Sequence, residues 1–309
     1  AGRTGKRGPR PGPNMAPVPL REAGVNPIGA NAWIWTSPLT DAGTAELVPK
    51  LAAWGFDLAE LPVENIGDWD PSRAAEVLLE HGLGATVCAV MPPGRELVAA
   101  DRETIVATQD YLRSCVDAAA TVGSGVVAGP LYASVGRKWR VEAAGRRKLV
   151  RELAANLAPL AEYAGERGVR LAVEPLNRFE TSLINTVDQA MEIVEAVNSS
   201  ALGVLLDTFH MNIEERDLPT GIRSVGNRLF HFHACANDRG APGADHLDWD
   251  GIVVALRDVG YDGVVVIESF TAANDAIATA AAVWRPLAAS QDDLAADGLA
   301  FLRSALWGA

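Results

Sequence analysis

Glu174, Asp207, His233 and Glu268 stand 33, 26 and 35 residues apart, and each ends a short apolar run: LAVE, VLLD, LFHFH and VVIE. Carboxylates at the end of a buried strand need partners. A divalent cation is the simplest partner for three carboxylates and one imidazole. That mostly hard, oxygen-rich donor set suits Mn²⁺, with Mg²⁺ or Co²⁺ as alternatives. Four protein ligands would leave an octahedral ion two open positions, enough for two adjacent substrate oxygens. A structural zinc would prefer a closed tetrahedron of Cys and His, and Cys88, Cys115 and Cys235 are too widely spaced for a CxxC pair.

The elements that must position these groups can be read from the apolar pattern. Eight runs read as strands: 28–35, 56–63, 84–91, 124–132, 169–176, 201–209, 229–236 and 263–270. Between them lie segments of helical period such as PSRAAEVLLEHG, ATQDYLRSCVDAAATVG and VDQAMEIVEAV. Gly82, Gly123, Gly168 and Gly260 stand where left-handed helix caps are wanted, and Thr186 and Asp248 read as N-caps. Eight strands each followed by a helix predict an α/β fold, a (β/α)₈ TIM barrel, whose chemistry gathers at the C-terminal ends of the strands. A doubly wound open sheet would usually show a Gly-rich turn after its first strand, where this chain reads WIWTSPLTD.

By the period of two, His231, His233 and Cys235 share the inward face of the seventh strand. His233, nearer the rim, is the expected ligand, and His231 a supporting or core histidine. Trp33 and Trp35 share a face of the first strand. Trp33 is expected in the core, and Trp35 either there or as an apolar wall of the substrate pocket. Trp139 reads as part of a loop over the mouth or as an interface residue. His246 is expected to order the loop before Asp248.

The whole chain sets limits. It has 309 residues and a net charge of −12, with 49% hydrophobic and 21% charged residues. Nucleic acid and anionic membrane surfaces select for basic faces, so neither is an expected partner. No apolar run reaches the roughly 18 to 20 residues of a membrane-spanning helix. Three cysteines at irregular spacing suit a reducing compartment and small core roles, and a cytoplasmic location is expected. Residues 1–14 hold four basic side chains and three prolines with no apolar segment behind them. Residues 1–25 are therefore expected to be a disordered tail, and 26–309 one barrel domain.

EPLNRFE (174–180), DTFHMNIEE (207–215), HFHACANDRGAPG (231–243) and VVIESF (265–270) resemble the ketose 3-epimerases of the xylose-isomerase-like barrel superfamily. The resemblance in strand and motif order runs over nearly all of residues 26–309. It implies that Glu174, Asp207, His233 and Glu268 hold the metal. It also implies that Glu174 and Glu268 act as the acid–base pair, and that Glu180, His210 and Arg239 bind the substrate near its carbonyl end. The implied reaction is epimerisation of a free ketose at C3 through a cis-enediolate. Removing the proton alpha to a carbonyl is hard for an unaided carboxylate, and a metal on O2 and O3 would stabilise the enediolate. One carboxylate on each face of the C2–C3 plane would then exchange base and acid roles. The expected partners are a small ketose and further copies of the chain, as a homo-oligomer (dimer or tetramer).

The same four ligands would serve an aldose–ketose isomerase, an inosose dehydratase or a lyase of 3-keto sugars. An endonuclease IV-type repair enzyme would need several zinc ions and a basic face, which five histidines and a charge of −12 disfavour. A non-catalytic sugar-binding barrel would have no need of the two acid–base carboxylates.

Overall fold

The computed structural model describes residues 26–140 and 142–308; the expected N-terminal tail lies outside the described residues. Eight parallel strands close into one barrel in chain order. They are β1 (Ile28–Asn31), β2 (Leu58–Val63), β3 (Gly84–Ala89), β4 (Val126–Gly129), β5 (Arg170–Val173), β6 (Leu202–Asp207), β7 (Leu229–Ala234) and β8 (Val265–Ile267). The first four crossovers carry α1 (Asp41–Trp54), α2 (Pro71–His81), α3 (Arg102–Val122) and α4 (Ala143–Gly165). The chain continues through α5 (Val187–Val197), α6 (Thr208–Glu214), α7 (Leu218–Val225), α8 (Trp249–Asp258), α9 (Asp275–Ala280) and α10 (Gln291–Trp307).

Local chemistry explains these boundaries. Thr186 and Gln189 form a reciprocal capping box at the start of α5, which satisfies two otherwise unpaired backbone donors. Asp248 accepts from Gly251 N at the start of α8. Gly82, Gly123, Gly168 and Gly260 all take positive φ, between 67° and 74°, as expected of glycine past a helix end. Leu112, Cys115, Val116, Ala119 and Val122 bury one face of α3. Cys88 and Cys235 are buried as well.

All eight expected strands form, but they end earlier than the apolar runs suggest. At the C-terminal rim the chain leaves the ladder while remaining apolar, because the emerging loops are themselves buried against the helices. β1 shows this most clearly. Asn31 Oδ1 accepts from Trp33 N and starts a 3₁₀ turn over Ala32–Ile34, so the period of two fails and Trp33 and Trp35 diverge.

By the same period, Ala172 shares a face with Glu174, and Leu205 with Asp207. Together with Val126, Ala128 and Phe230 they make a separate apolar cluster, which fills the barrel below the rim. Gly129, with φ of 130°, ends β4 where a Cβ would stand 2.6 Å from Ala89 O. Its carbonyl accepts from Glu174 N at 3.0 Å and so fixes where the chain leaves β5.

Candidate metal centre and active site

Four neighbouring strands deliver the expected residues to one rim. Asp207 is the last residue of β6 and pairs in register with His233. Glu174 and Glu268 directly follow β5 and β8. One ligand atom from each of Glu174, Asp207, His233 and Glu268 lies within 4.8 Å of the other three, and all four residues are buried. Glu174 Oε1 and His233 Nδ1 are buried without a hydrogen-bond partner among the described residues. Buried polar atoms left without a partner in a ring of carboxylates are what a hard divalent cation would satisfy, once His233 gives up its proton. The residues present fit such an ion.

The ring is electrostatically divided. Burial, followed by the Glu268 charge, holds the Glu174 carboxyl well above the usual carboxylate range. Burial also opposes ionisation of Glu268, but His233 and Arg239 outweigh it and bring its pKa down to about 2. His233 Nδ1 lies 3.3 Å from Glu268 Oε2. For His233, burial favours the neutral ring, yet Glu268 and Glu60 together hold it protonated well above the ordinary histidine value.

Arg239 comes from the NDRG turn at a φ of 72° and is 6% exposed. Its Nη1 donates to Asp207 Oδ2 at 2.7 Å and to Glu268 Oε2 at 3.0 Å. Its guanidinium stacks between Phe209 and Phe270, 4.2 and 5.0 Å from the ring centroids. Two aromatic faces favour a planar cation there. His210 sits between Arg239 and the strand-five exit. Its Nε2 is 3.0 Å from Arg239 Nη2, and its Nδ1 accepts from Asn177 N at 3.1 Å. Burial and the Arg239 charge depress His210 to about 3, so the ring is neutral. Asn177 Nδ2 also donates to Glu180 Oε1 at 2.9 Å, and burial raises the Glu180 pKa. His210 Nε2 also lies 3.6 Å from Glu174 Oε1, so Glu174, Glu180, His210 and Arg239 belong to one connected group.

Trp35 is not brought to this group. Its Nε1 donates to Asp292 Oδ1 on α10, and its ring packs against Trp54 on α1, outside the barrel mouth. Trp33, expected in the core, points the other way. It meets the edge of Phe270 at 6.5 Å and donates from Nε1 to Glu64 Oε1. Trp139 is half-buried under the Arg137 guanidinium. His246 is exposed; Asp245 orders its loop instead, accepting from Gly243 N, Leu247 N and Trp249 Nε1.

Two residues of the site escape a reading of the pattern. Asn177, inside the EPLNRFE stretch, joins Glu180 to His210. Glu60, inside the apolar run of β2, is fully buried and touches His231, His233, Asn31 and Thr86. A lone acid in the middle of a buried strand was the available signal for Glu60.

Comparison with known proteins agrees with this architecture. Residues 48–305 match the family described as the xylose isomerase-like TIM barrel. The ketose 3-epimerase of Arthrobacter globiformis is 33% identical over 281 residues, 90% of this chain and 96% of that one. A solved L-ribulose 3-epimerase superposes with a TM-score of 0.85 at 29% identity, covering 91% of this chain and 94% of the other. The D-allulose 3-epimerase of Methylomonas sp., solved in complex with D-allulose, gives 0.83 at 26% identity, covering 91% and 97%. With the barrel, the motif order and these relatives in agreement, the chain belongs to the xylose isomerase-like TIM barrel family, among relatives that are ketose 3-epimerases.

Proposed function

We propose that the protein epimerises a free ketose at C3, using a divalent cation held by Glu174, Asp207, His233 and Glu268. The single observation that carries this reading is the ring itself: three carboxylates and one imidazole, buried together, with polar atoms left unpaired. A cation held by these four residues would supply the Lewis acidity that makes a proton next to a ketose carbonyl removable. The remaining work falls to the side chains. Glu174 and Glu268 stand at the two ends of the four-strand arc, one favouring the protonated and the other the ionised form. That division belongs to the metal-free protein; beside a bound cation both would be ionised, and either could take up the C3 proton and return it as the acid. Arg239, His210 and Glu180 offer donors and acceptors in fixed directions, which suits the oxygen-rich carbonyl end of a ketose. Phe209 and Phe270 keep Arg239 in place.

The test is incubation of the Mn²⁺-loaded protein with free ketoses in D₂O, with the products separated and read by NMR. The expected product is the C3 epimer carrying one solvent deuterium at C3. An aldose carrying its solvent deuterium at C2, or recovered ketose labelled at C1, would instead mean an aldose–ketose isomerase.

A further inference from the structure

Beneath the ring lies a second buried anion, Glu60. Its registered neighbours on β1 and β3 are Asn31 and Thr86, and both donate to it: Asn31 Nδ2 to Oε1 and Thr86 Oγ1 to Oε2, each at 2.9 Å. From the far wall of the barrel, His231 Nε2 lies 2.7 Å from Oε2 and His233 Nε2 lies 2.8 Å from Oε1. The His233 contact is at ion-pair distance with its N–H off the ideal line. Glu60 and both histidines are 0% exposed. The His231 ring meets the His233 ring edge-on, with centroids 4.9 Å apart, and so limits its rotation.

A carboxylate buried this deeply needs a reason. Fold closure alone would be served by apolar side chains of similar volume. What the carboxylate adds is direction. With His233 Nε2 turned down to Glu60, Nδ1 is the nitrogen left facing Glu268 at 3.3 Å, on the side of Glu174 and Asp207.

We infer that Glu60 is a positioning residue for the metal centre: it holds His233 by Nε2, so that Nδ1 faces the three carboxylates as the ligand atom. A carboxylate on the outer nitrogen of a ligating imidazole fixes its tautomer and raises its basicity. Asn31, Thr86 and His231 hold Glu60 in turn, so β1, β2, β3 and β7 all bear on one ligand atom. This inference rests on the metal reading above.

Its test uses the full chain and Mn²⁺ alone, without sugar. Metal-free wild type, Glu60→Gln and Glu60→Ala are titrated with Mn²⁺, the free ion being read by electron paramagnetic resonance. Circular dichroism melts of the metal-free forms report folding. Glu60→Ala should weaken Mn²⁺ binding about 10- to 100-fold. Glu60→Gln keeps an acceptor for His233 but not the charge, and should lose less. Binding within twofold of wild type in both variants would overturn the inference, whatever their melting temperatures. A wild-type measurement covers the case of variants that do not fold. In the Mg²⁺-loaded protein, ¹⁵N spectra should show His233 protonated at Nε2 and unprotonated at Nδ1, and the opposite pattern overturns the inference. If wild type takes up no Mn²⁺, the metal reading itself falls. If wild type binds and the variants match it, only the role of Glu60 falls.

Discussion

Arg239 Nη1 lies 2.7 Å from Asp207 Oδ2, and the same nitrogen reaches Glu268 Oε2 at 3.0 Å. A side chain expected only to bind substrate is therefore also the counter-cation of two candidate metal ligands. Removing one partner of a buried ion pair leaves an uncompensated charge and costs about 3–5 kcal/mol. Arg239→Ala should accordingly lower the melting temperature of the metal-free protein. Saturating Mn²⁺ should shrink that loss, because the ion neutralises the carboxylates that the arginine had served. Turnover should remain impaired even with metal bound. Melts of both proteins with and without Mn²⁺ check this, and equal losses in the two conditions would contradict the counter-cation role.

The same charges set a pH dependence. Glu174 is raised by burial and by Glu268. His233 is raised because Glu268 and Glu60 outweigh its burial. A group raised in the folded state contributes stability that is complete below its unfolded pKa and lost as pH rises through the folded value. The metal-free protein should therefore lose stability as pH rises, for Glu174 from the ordinary carboxylate range upward and for His233 from about 6.5 upward. Both groups must give up a proton to ligate. Mn²⁺ affinity should increase with pH, by about tenfold per pH unit for each proton released. Titration calorimetry in two buffers of different ionisation enthalpy counts those protons, and a heat independent of buffer would remove the argument.

How much of this was legible beforehand follows from what pattern encodes. Glu174, Asp207, His233 and Glu268 were readable because each interrupts an apolar run at a strand end, where a barrel concentrates its polar groups. The period of two gives both strand-seven histidines one face, and their order along the strand sets His233 beside Asp207 and His231 deeper, on Glu60. That rule misled at Trp33 and Trp35, because the Asn31 cap turns the chain within two residues and sends one indole to Phe270 and the other to Asp292. The helices α6, α7 and α9 are too short, at 7, 8 and 6 residues, to show a full amphipathic repeat. Glu60 was hidden for another reason. Its partners Asn31, Thr86, His231 and His233 come from three other strands, and only barrel closure brings β7 across to β2.

The two acid–base carboxylates allow the sharpest test. In the metal-free protein Glu174 is held toward its protonated form and Glu268 toward its ionised form, but a bound cation would ionise both, so the epimer bound decides which of them takes the proton first. Interconversion in both directions requires each to take either role with opposite substrate handedness. Glu174→Gln and Glu268→Gln should each reduce net epimerisation by about 10²- to 10⁴-fold. Each should still exchange the C3 proton of one epimer with D₂O, namely the epimer whose proton faces the surviving carboxylate, and the two variants should choose opposite epimers. An amide oxygen is a weaker ligand than a carboxylate, so Mn²⁺ content must be measured on the same samples and restored by excess ion where it falls. Exchange of the same epimer by both metal-loaded variants would mean that one base serves both faces. Near wild-type interconversion by either metal-loaded variant would eliminate the two-carboxylate mechanism.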